Sequence, residues 1–119
     1  MAGWLESILP VTTFEELKIP LRLLATDLRT GKPVVLERGP LFPAIRASCA
    51  LLGLYVTLEM NGYLLANGYL TCNLPVQQVR EMGADIVIAS AIGLEISDQV
   101  NLNNIYQILL HHELRRAEQ

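Results

Sequence analysis

The stretch that most constrains the fold of this chain is Leu64 to Val76, with the sequence LLANGYLTCNLPV. Two leucines lead into Asn67-Gly68, and a polar turn then runs to Pro75, where a helical pattern begins. This order predicts a strand, a tight loop and a helix start. Such loops often carry ligands in open α/β sheets, but Asn-Gly is also the commonest short turn signal because both residues tolerate positive φ. Spacing alone therefore indicates a turn.

Hydrophobic patterns along the rest of the chain predict alternating helices and strands. Helices are expected at Met1–Leu9, Thr13–Lys18, from Gly39-Pro40 through Cys49, Pro75–Met82 and Asn101–Arg116. Hairpins are expected from Leu21–Leu28 with Val34–Glu37, and from Leu58–Met60 with Tyr63–Leu65 around Asn61-Gly62.

The segment Asp85–Ala89, DIVIA, is apolar and short, which predicts a buried strand. A helix is expected between it and the strand ending at Leu65, so the two strands should run parallel. An apolar fraction of 51% fits near-continuous strands buried on both faces of a parallel sheet. It fits equally well a partial domain whose neighbour would cover one side.

Length and charge exclude several classes of protein. The chain of 119 residues predicts one domain, and its net charge of −3 without a dense Lys/Arg cluster argues against a nucleic-acid partner. No apolar run approaches the ~20 residues of a membrane-spanning helix. Cys49 and Cys72 lack a metal-type pairing and no secretion signal is evident, so we expect reduced, buried thiols in a cytoplasmic protein.

Several side chains invite a chemical role that their surroundings do not support. Ser48 has no flanking glycines to form a strained elbow, so we interpret it as a helix-packing hydroxyl. Asp27 precedes Thr30-Gly31, which favours a turn-capping carboxylate that accepts from amides two or three residues on. His111-His112-Glu113 lacks the second histidine of a zinc-protease motif, and Gly31-Lys32 lacks the rest of a phosphate loop. We therefore predict no metal and no cofactor.

Several separate blocks resemble, in the right order, the C-terminal half of a bacterial patatin-like phospholipase domain. They are IPLRLLATDLRTGKPVVLERGPL, AIRASCALLGLY, EMNGYLLANGYLTCNLPV and VREMGADIVIA. The resemblance covers Phe14 to Ala89. It implies a partial three-layer α/β fold over residues 1–119, with a mainly parallel central sheet and flanking helices, and without the N-terminal half that bears the nucleophile.

The family resemblance also implies a chemistry, that of serine lipid acyl hydrolases with a Ser-Asp dyad. The serine lies in a Gly-x-Ser-x-Gly elbow, and the aspartate lies in a later Asp-Gly-Gly or Asp-Gly-Ala motif. That later motif falls here on Asn67-Gly68-Tyr69, so an asparagine occupies the dyad position. These residues contain neither a Gly-x-Ser-x-Gly nor a Gly-rich loop for an oxyanion hole.

The sequence thus predicts a truncated or degenerate lipid acyl hydrolase that is inactive as this chain alone. Two other hypotheses stay open. One is a non-catalytic module that binds acyl lipids or proteins; the other is one half of a split enzyme completed by a serine-bearing partner. Lipids or acyl esters, a complementary N-terminal half and a second copy of the chain are the partners that these hypotheses imply.

Overall fold

The computed structural model describes residues 2–51, 56–72 and 74–91. The helices are α1 (Ala2–Ile8), α2 (Leu41–Ser48) and α3 (Val76–Glu81), and the strands are β1 (Leu23–Asp27), β2 (Lys32–Leu36), β3 (Leu58–Met60) and β4 (Tyr63–Asn67). Two short 3-10 turns lie at Phe14–Glu16 and Gly68–Leu70. The helix predicted at Asn101–Arg116, together with His111 and His112, lies outside the described residues.

The four strands form one antiparallel sheet in the order β2-β1-β4-β3. The prediction of a mainly parallel central sheet was therefore wrong. The reason is the connections: β1–β2 and β3–β4 are hairpins, and a two-residue or similarly short turn can only join antiparallel strands. The second hairpin then folds back with β4 antiparallel to β1, so that Ala25 faces Asn67.

Both hairpins that the turn chemistry predicted are confirmed. Gly31 has φ +68, while Asn61 and Gly62 have φ +52 and +82, the left-handed conformations that tight hairpin turns require. Arg29, in the first turn, links the two hairpins. Its guanidinium donates to the Gly62 carbonyl at 2.9 Å and forms an ion pair with Glu59 at 2.6 Å.

The predicted parallel strand at 85–89 is not formed. Residues 84–91 belong to no strand, and Ile86 and Ile88 are 82% and 95% exposed. An apolar run becomes a strand only where another strand offers hydrogen-bond partners, and within the described ranges the sheet ends at β2 and β3.

The hydrophobic core lies where α2 covers one face of the sheet. Its buried members are Phe14, Ala25, Leu36, Leu41, Ala44, Ala47 and Leu65. Leu41 and Leu65 are fully buried, and each contributes about 2 kcal/mol of transfer free energy relative to an exposed side chain. Small alanines on α2 let its backbone lie close to β1 and β4, and this closeness places the end of α2 beside the loop that follows β4.

Other predicted features differ in detail. Thr13 does not cap a backbone amide; its hydroxyl donates to the Glu16 carboxylate at 3.0 Å. Gly83 ends α3 with φ +96, as predicted, but Val76 is exposed rather than inward. Cys49 and Cys72 are free thiols, yet Cys49 is exposed and Cys72 half-buried, so the prediction that both are buried was wrong.

Arg22, just before β1, holds α3 against the sheet. Its Nε donates to Glu37 at 2.7 Å, and its terminal nitrogen approaches the Gln78 carbonyl at 3.3 Å and the Glu81 carboxylate at 3.7 Å. A guanidinium that contacts three acceptors fixes the orientation of α3 better than a single surface ion pair would. Each added contact further restricts the motion of the Arg22 side chain.

Candidate functional site

The candidate site is the loop that leaves the sheet at Asn67, which is the last residue of β4. Asn67 begins the 3-10 turn Gly68–Leu70, and its side-chain Oδ1 accepts a hydrogen bond from the Tyr69 amide at 3.0 Å. Asparagine and aspartate are the preferred residues at such a turn start because a short side-chain oxygen reaches the amide two residues on. The bond identifies Oδ1 as the anchored atom, and the described residues include no hydrogen-bond partner for Nδ2.

The backbone of Asn67 is held from two directions. Its amide donates to the Ala50 carbonyl at 2.9 Å, just past the end of α2. Its carbonyl accepts from the Thr26 hydroxyl on β1, also at 2.9 Å. The residue is therefore fixed by α2, by β1 and by its own turn, and its position depends on the packing of the whole sheet.

Gly68 has a steric reason to be glycine. A Cβ at this position would overlap the carbonyl oxygen of Leu24 and lie 2.6 Å from the carbonyl carbon. The obstacle is the backbone of β1, which cannot rotate away as a side chain can. The close approach of the two backbones brings Asn67 beside β1, and any other residue at 68 would push the loop away.

Three hydroxyl groups complete the support of this loop. Ser48 on α2 donates to the Leu24 carbonyl at 2.6 Å, and Thr26 and Thr71 share a hydrogen bond of 3.0 Å. The Gly68 carbonyl accepts from the amides of Thr71 and Cys72 at 3.1 and 3.0 Å. Ser48 is thus a packing hydroxyl, as its sequence context predicted.

Sequence reasoning missed Thr26, Thr71 and Ala50 as partners of Asn67. A signal for Thr26 was present, since it is a polar residue in a strand whose preceding residues, Leu23 to Ala25, are apolar. Central-strand polar groups are buried and need a partner, so Thr26 could have been assigned a hydrogen-bonding role but not a particular acceptor. The Ala50 carbonyl carries no side-chain information and could not have been found.

Asp27 is the last residue of β1 and pairs with Leu65, two residues along β4 from Asn67, and in the described residues its side chain makes no hydrogen bond to Asn67. It is 3% exposed and accepts from the Thr30 hydroxyl at 2.8 Å, from the Arg29 amide at 3.3 Å and from the Leu64 amide at 3.2 Å. The Thr30 hydrogen bond is the largest of the effects that hold the pKa of Asp27 below its ordinary value of 3.8, and the amides of Arg29 and Leu64 and the Arg29 charge act in the same direction. The predicted turn-capping role is confirmed, with an additional bond across the sheet to β4.

A small apolar groove lies apart from Asn67, between α3 and the chain that follows it. Its lining comprises Leu74, Pro75, Val76, Val79, Val87, Ile88, Ala89 and Ser90. Its volume is about 190 Å³, below the 300–1,000 Å³ or so of pockets that enclose a whole small ligand. The groove could hold a short length of acyl chain.

Two features are absent from the part of the chain that the structure describes. No helix there has the length and apolarity to cross a bilayer. No group of three or more His, Cys, Asp or Glu side chains is arranged there to hold a metal ion.

Comparison with known proteins gives relatives that this chain resembles over part of their length. An uncharacterised NTE family protein of Mycobacterium tuberculosis is 44% identical over 78 residues, which is 66% of this chain and 22% of the relative. Patatin-like phospholipase domain-containing protein 7 of Rattus norvegicus is 35% identical over 92 residues, 76% of this chain and 7% of the relative. A lysophospholipase of Meyerozyma guilliermondii is 32% identical over 79 residues, 66% of this chain and 5% of the relative.

Over about two thirds of its length, the chain is similar to NTE family and patatin-like phospholipase domain proteins. It spans about a fifth of the mycobacterial relatives and less than a tenth of the animal ones. No protein-family model matches the chain.

Proposed function

We propose that this chain is a degenerate part of a patatin-like lipid acyl hydrolase, with Asn67 at the position of the dyad aspartate, and that it does not hydrolyse acyl esters by itself. The observation that carries the proposal is the pairing of a tightly supported loop with the wrong side chain. Gly68 and the backbone of Asn67 are held close to β1, whereas the Asn67 side chain is an amide rather than a carboxylate.

The orientation of that amide supports the proposal. With Oδ1 bonded to the Tyr69 amide, the other end of the side chain is Nδ2, a donor. An aspartate in the same rotamer would keep the bond through one oxygen and present the other oxygen as a base. An amide nitrogen cannot accept the proton of an attacking serine, so general-base assistance of about 10²–10⁴-fold would be lost at this position.

The second part of the proposal concerns the nucleophile. The 119 residues contain no Gly-x-Ser-x-Gly, and the Ser48 hydroxyl donates a hydrogen bond to a backbone carbonyl on β1. A serine-bearing segment on another chain or elsewhere in a longer protein would have to supply both the nucleophile and the oxyanion hole. The substrate class that fits is an acyl lipid ester, because the relatives include a lysophospholipase. Free thiols at Cys49 and Cys72 support the further proposal of a cytoplasmic location.

An esterase assay on the purified chain tests the proposal. Short p-nitrophenyl esters should be hydrolysed no faster than in buffer, because even one missing oxyanion donor costs about 10²–10³ in rate. The Asn67→Asp chain on its own should be equally inactive, since it still lacks a serine elbow. Turnover that follows the protein through purification and is abolished by a serine-directed phosphonate would overturn the proposal.

The groove beside α3 favours one alternative, a module that binds acyl chains without cleaving them. Its apolar lining and small volume suit a short acyl segment. Displacement of a fluorescent fatty acid should then be lost in Val79→Asp and kept in the control Ile19→Asp, since Ile19 is 79% exposed and lies outside the groove lining. Equal displacement in both variants would exclude this groove as the binding site.

A further inference from the structure

The sequence contains two Asn-Gly pairs, Asn61-Gly62 and Asn67-Gly68, and the fold gives them different surroundings. Asparagine before glycine is prone to spontaneous deamidation because the glycine nitrogen has no neighbouring side chain to shield it. That nitrogen attacks Cγ of the asparagine, the Cγ–Nδ2 bond breaks and ammonia leaves with a proton, giving a cyclic succinimide. Water then opens the ring. Cleavage at Cγ gives aspartate, and cleavage at the main-chain carbonyl gives isoaspartate.

Ring closure requires rotation about the Cα–C bond of the asparagine, which swings its carbonyl and the next nitrogen through the surroundings. The rate in a folded protein therefore depends on what that rotation must break. Regions that open locally at low free energy react much faster than regions that open only with global unfolding.

Asn61-Gly62 occupies the tip of a hairpin at the edge of the sheet. Both residues are exposed, and the strand that leads into them, β3, has three residues and pairs on one side with β4. The Gly62 carbonyl accepts from the exposed guanidinium of Arg29 at 2.9 Å. Opening this tip disturbs the terminal Met60–Tyr63 pair and one surface contact.

In Asn67-Gly68, hydrogen bonds or close packing hold the groups that the rotation would move. The Asn67 carbonyl accepts from Thr26, and its Oδ1 accepts from the Tyr69 amide. Gly68 is buried against the Leu24 backbone, and its carbonyl accepts two amides from the next turn. Ring closure here would break these bonds inside the supported loop.

We propose that Asn61 is a site of spontaneous deamidation in the folded protein and that the fold protects Asn67 from the same reaction. Water is the co-reactant and ammonia the leaving group. The protection keeps an amide at residue 67, where conversion would create a carboxylate. At Asn61 the isoaspartate product adds one main-chain carbon to a two-residue turn, which distorts the turn next to the Met60–Tyr63 pair that closes it.

Timed incubation of the purified chain at mildly alkaline pH, followed by proteolysis and mass spectrometry, tests the proposal. The peptide with Asn61 should gain the mass of the amide-to-acid change at least about tenfold faster than the peptide with Asn67, the ratio expected from about 1.4 kcal/mol in opening free energy. In denaturant the two sites should react at similar rates because both are Asn-Gly. Asn61→Gln should abolish the faster signal.

The variant Thr26→Val sharpens the test, because it removes the hydroxyl that holds the Asn67 carbonyl. It should speed conversion of Asn67 and leave the rate at Asn61 unchanged, with folding checked by circular dichroism. Equal rates at the two sites in the folded chain would overturn the proposal. So would faster reaction at Asn67, or an unreactive Asn61 in the folded chain that reacts in denaturant.

Discussion

The loop at residues 67–72 and the segment at 85–91 differ in how the fold holds them, although the sequence predicted that the first follows a strand and that residues 85–89 form one. The loop receives hydrogen bonds from Thr26 and gives one to Ala50, and a glycine packs it against the β1 backbone. The segment carries Ile86 and Ile88 almost fully exposed. Hydrophobicity alone does not decide which stretch joins a sheet; available backbone partners do.

The largest effect should come from Gly68→Ala. The new methyl group would overlap the Leu24 carbonyl. Because the carbonyl oxygen and carbon are backbone atoms, β1 and the loop at Gly68 must move apart. We expect a loss of about 3 kcal/mol or more in the free energy of unfolding, measured by urea denaturation, or failure to fold.

Gly3→Ala is the matched control for Gly68→Ala. Gly3 lies in α1 and a Cβ there meets nothing within 4 Å, so alanine should leave stability unchanged or raise it by about 0.5–1 kcal/mol. Similar stability of the two alanine variants would show that the close approach at Gly68 is not a constraint.

The next largest effect is expected at Asp27, which anchors the other end of the same strand pair. Its pKa is lowered in the folded chain, chiefly by the Thr30 hydrogen bond, so its contribution to stability is full above the ordinary pKa of 3.8 and is lost as pH falls through the lower folded pKa. Asp27→Asn should destabilise the chain at neutral pH. The gap between variant and parent should narrow on acidification, as urea midpoints across that range would show; a gap that widens would contradict this assignment.

A smaller effect is expected from Thr71→Val, which removes the hydrogen bond to Thr26 while keeping the shape of the side chain. The cost should be about 0.5–1.5 kcal/mol, because the Thr26 hydroxyl keeps its bond to the Asn67 carbonyl. Urea denaturation measures it. A loss as large as that of Gly68→Ala would mean that the hydroxyl pair, rather than the backbone approach, holds the loop.

The smallest effect on stability, and the sharpest on association, should come from Ile88→Ser. Because Ile88 is 95% exposed, stability should change by no more than about 0.5 kcal/mol. We propose that the unmodified chain self-associates through this segment, so light scattering at equal concentration should show less association in the variant. Trp4→Ser, on α1 at 65% exposure, is the comparison. If the unmodified chain is a monodisperse monomer, the proposal that it self-associates through this segment is wrong.

Sequence reasoning recovered the local parts of the fold because local chemistry determines them. Positive φ at Asn61, Gly62 and Gly83 follows from residue type, and α2 follows from its apolar face after Pro40. The direction of the strands was not recoverable in this way. A buried strand was inferred from DIVIA being apolar, and its parallel direction from the helix expected between it and the strand ending at Leu65. The apolar pattern is the same for a buried strand and for an exposed apolar segment.

The candidate site likewise has parts that the sequence could predict and parts that it could not. The family resemblance indicated Asn67 as a site residue, whereas turn propensity alone predicted only a turn. The hydrogen bonds from Thr26 and to Ala50 join residues 41 and 17 positions apart in sequence, and no periodicity encodes such pairs. The need for glycine at residue 68 was implied by the family motif, whereas its cause, the Leu24 backbone, required the structure.

The central claim is that Asn67 occupies the place of the dyad base, and complementation tests it most directly. The chain and its Asn67→Asp variant are each combined with, or fused behind, a serine-bearing N-terminal half from a patatin-like relative, and complex formation is confirmed before assay. The variant should fold with unchanged stability, since asparagine and aspartate serve equally at this turn start. Its complex should hydrolyse acyl esters, and the unmutated complex should be on the order of 10²-fold or more slower. Equal activity of the two verified complexes would contradict the assignment of the dyad position to Asn67.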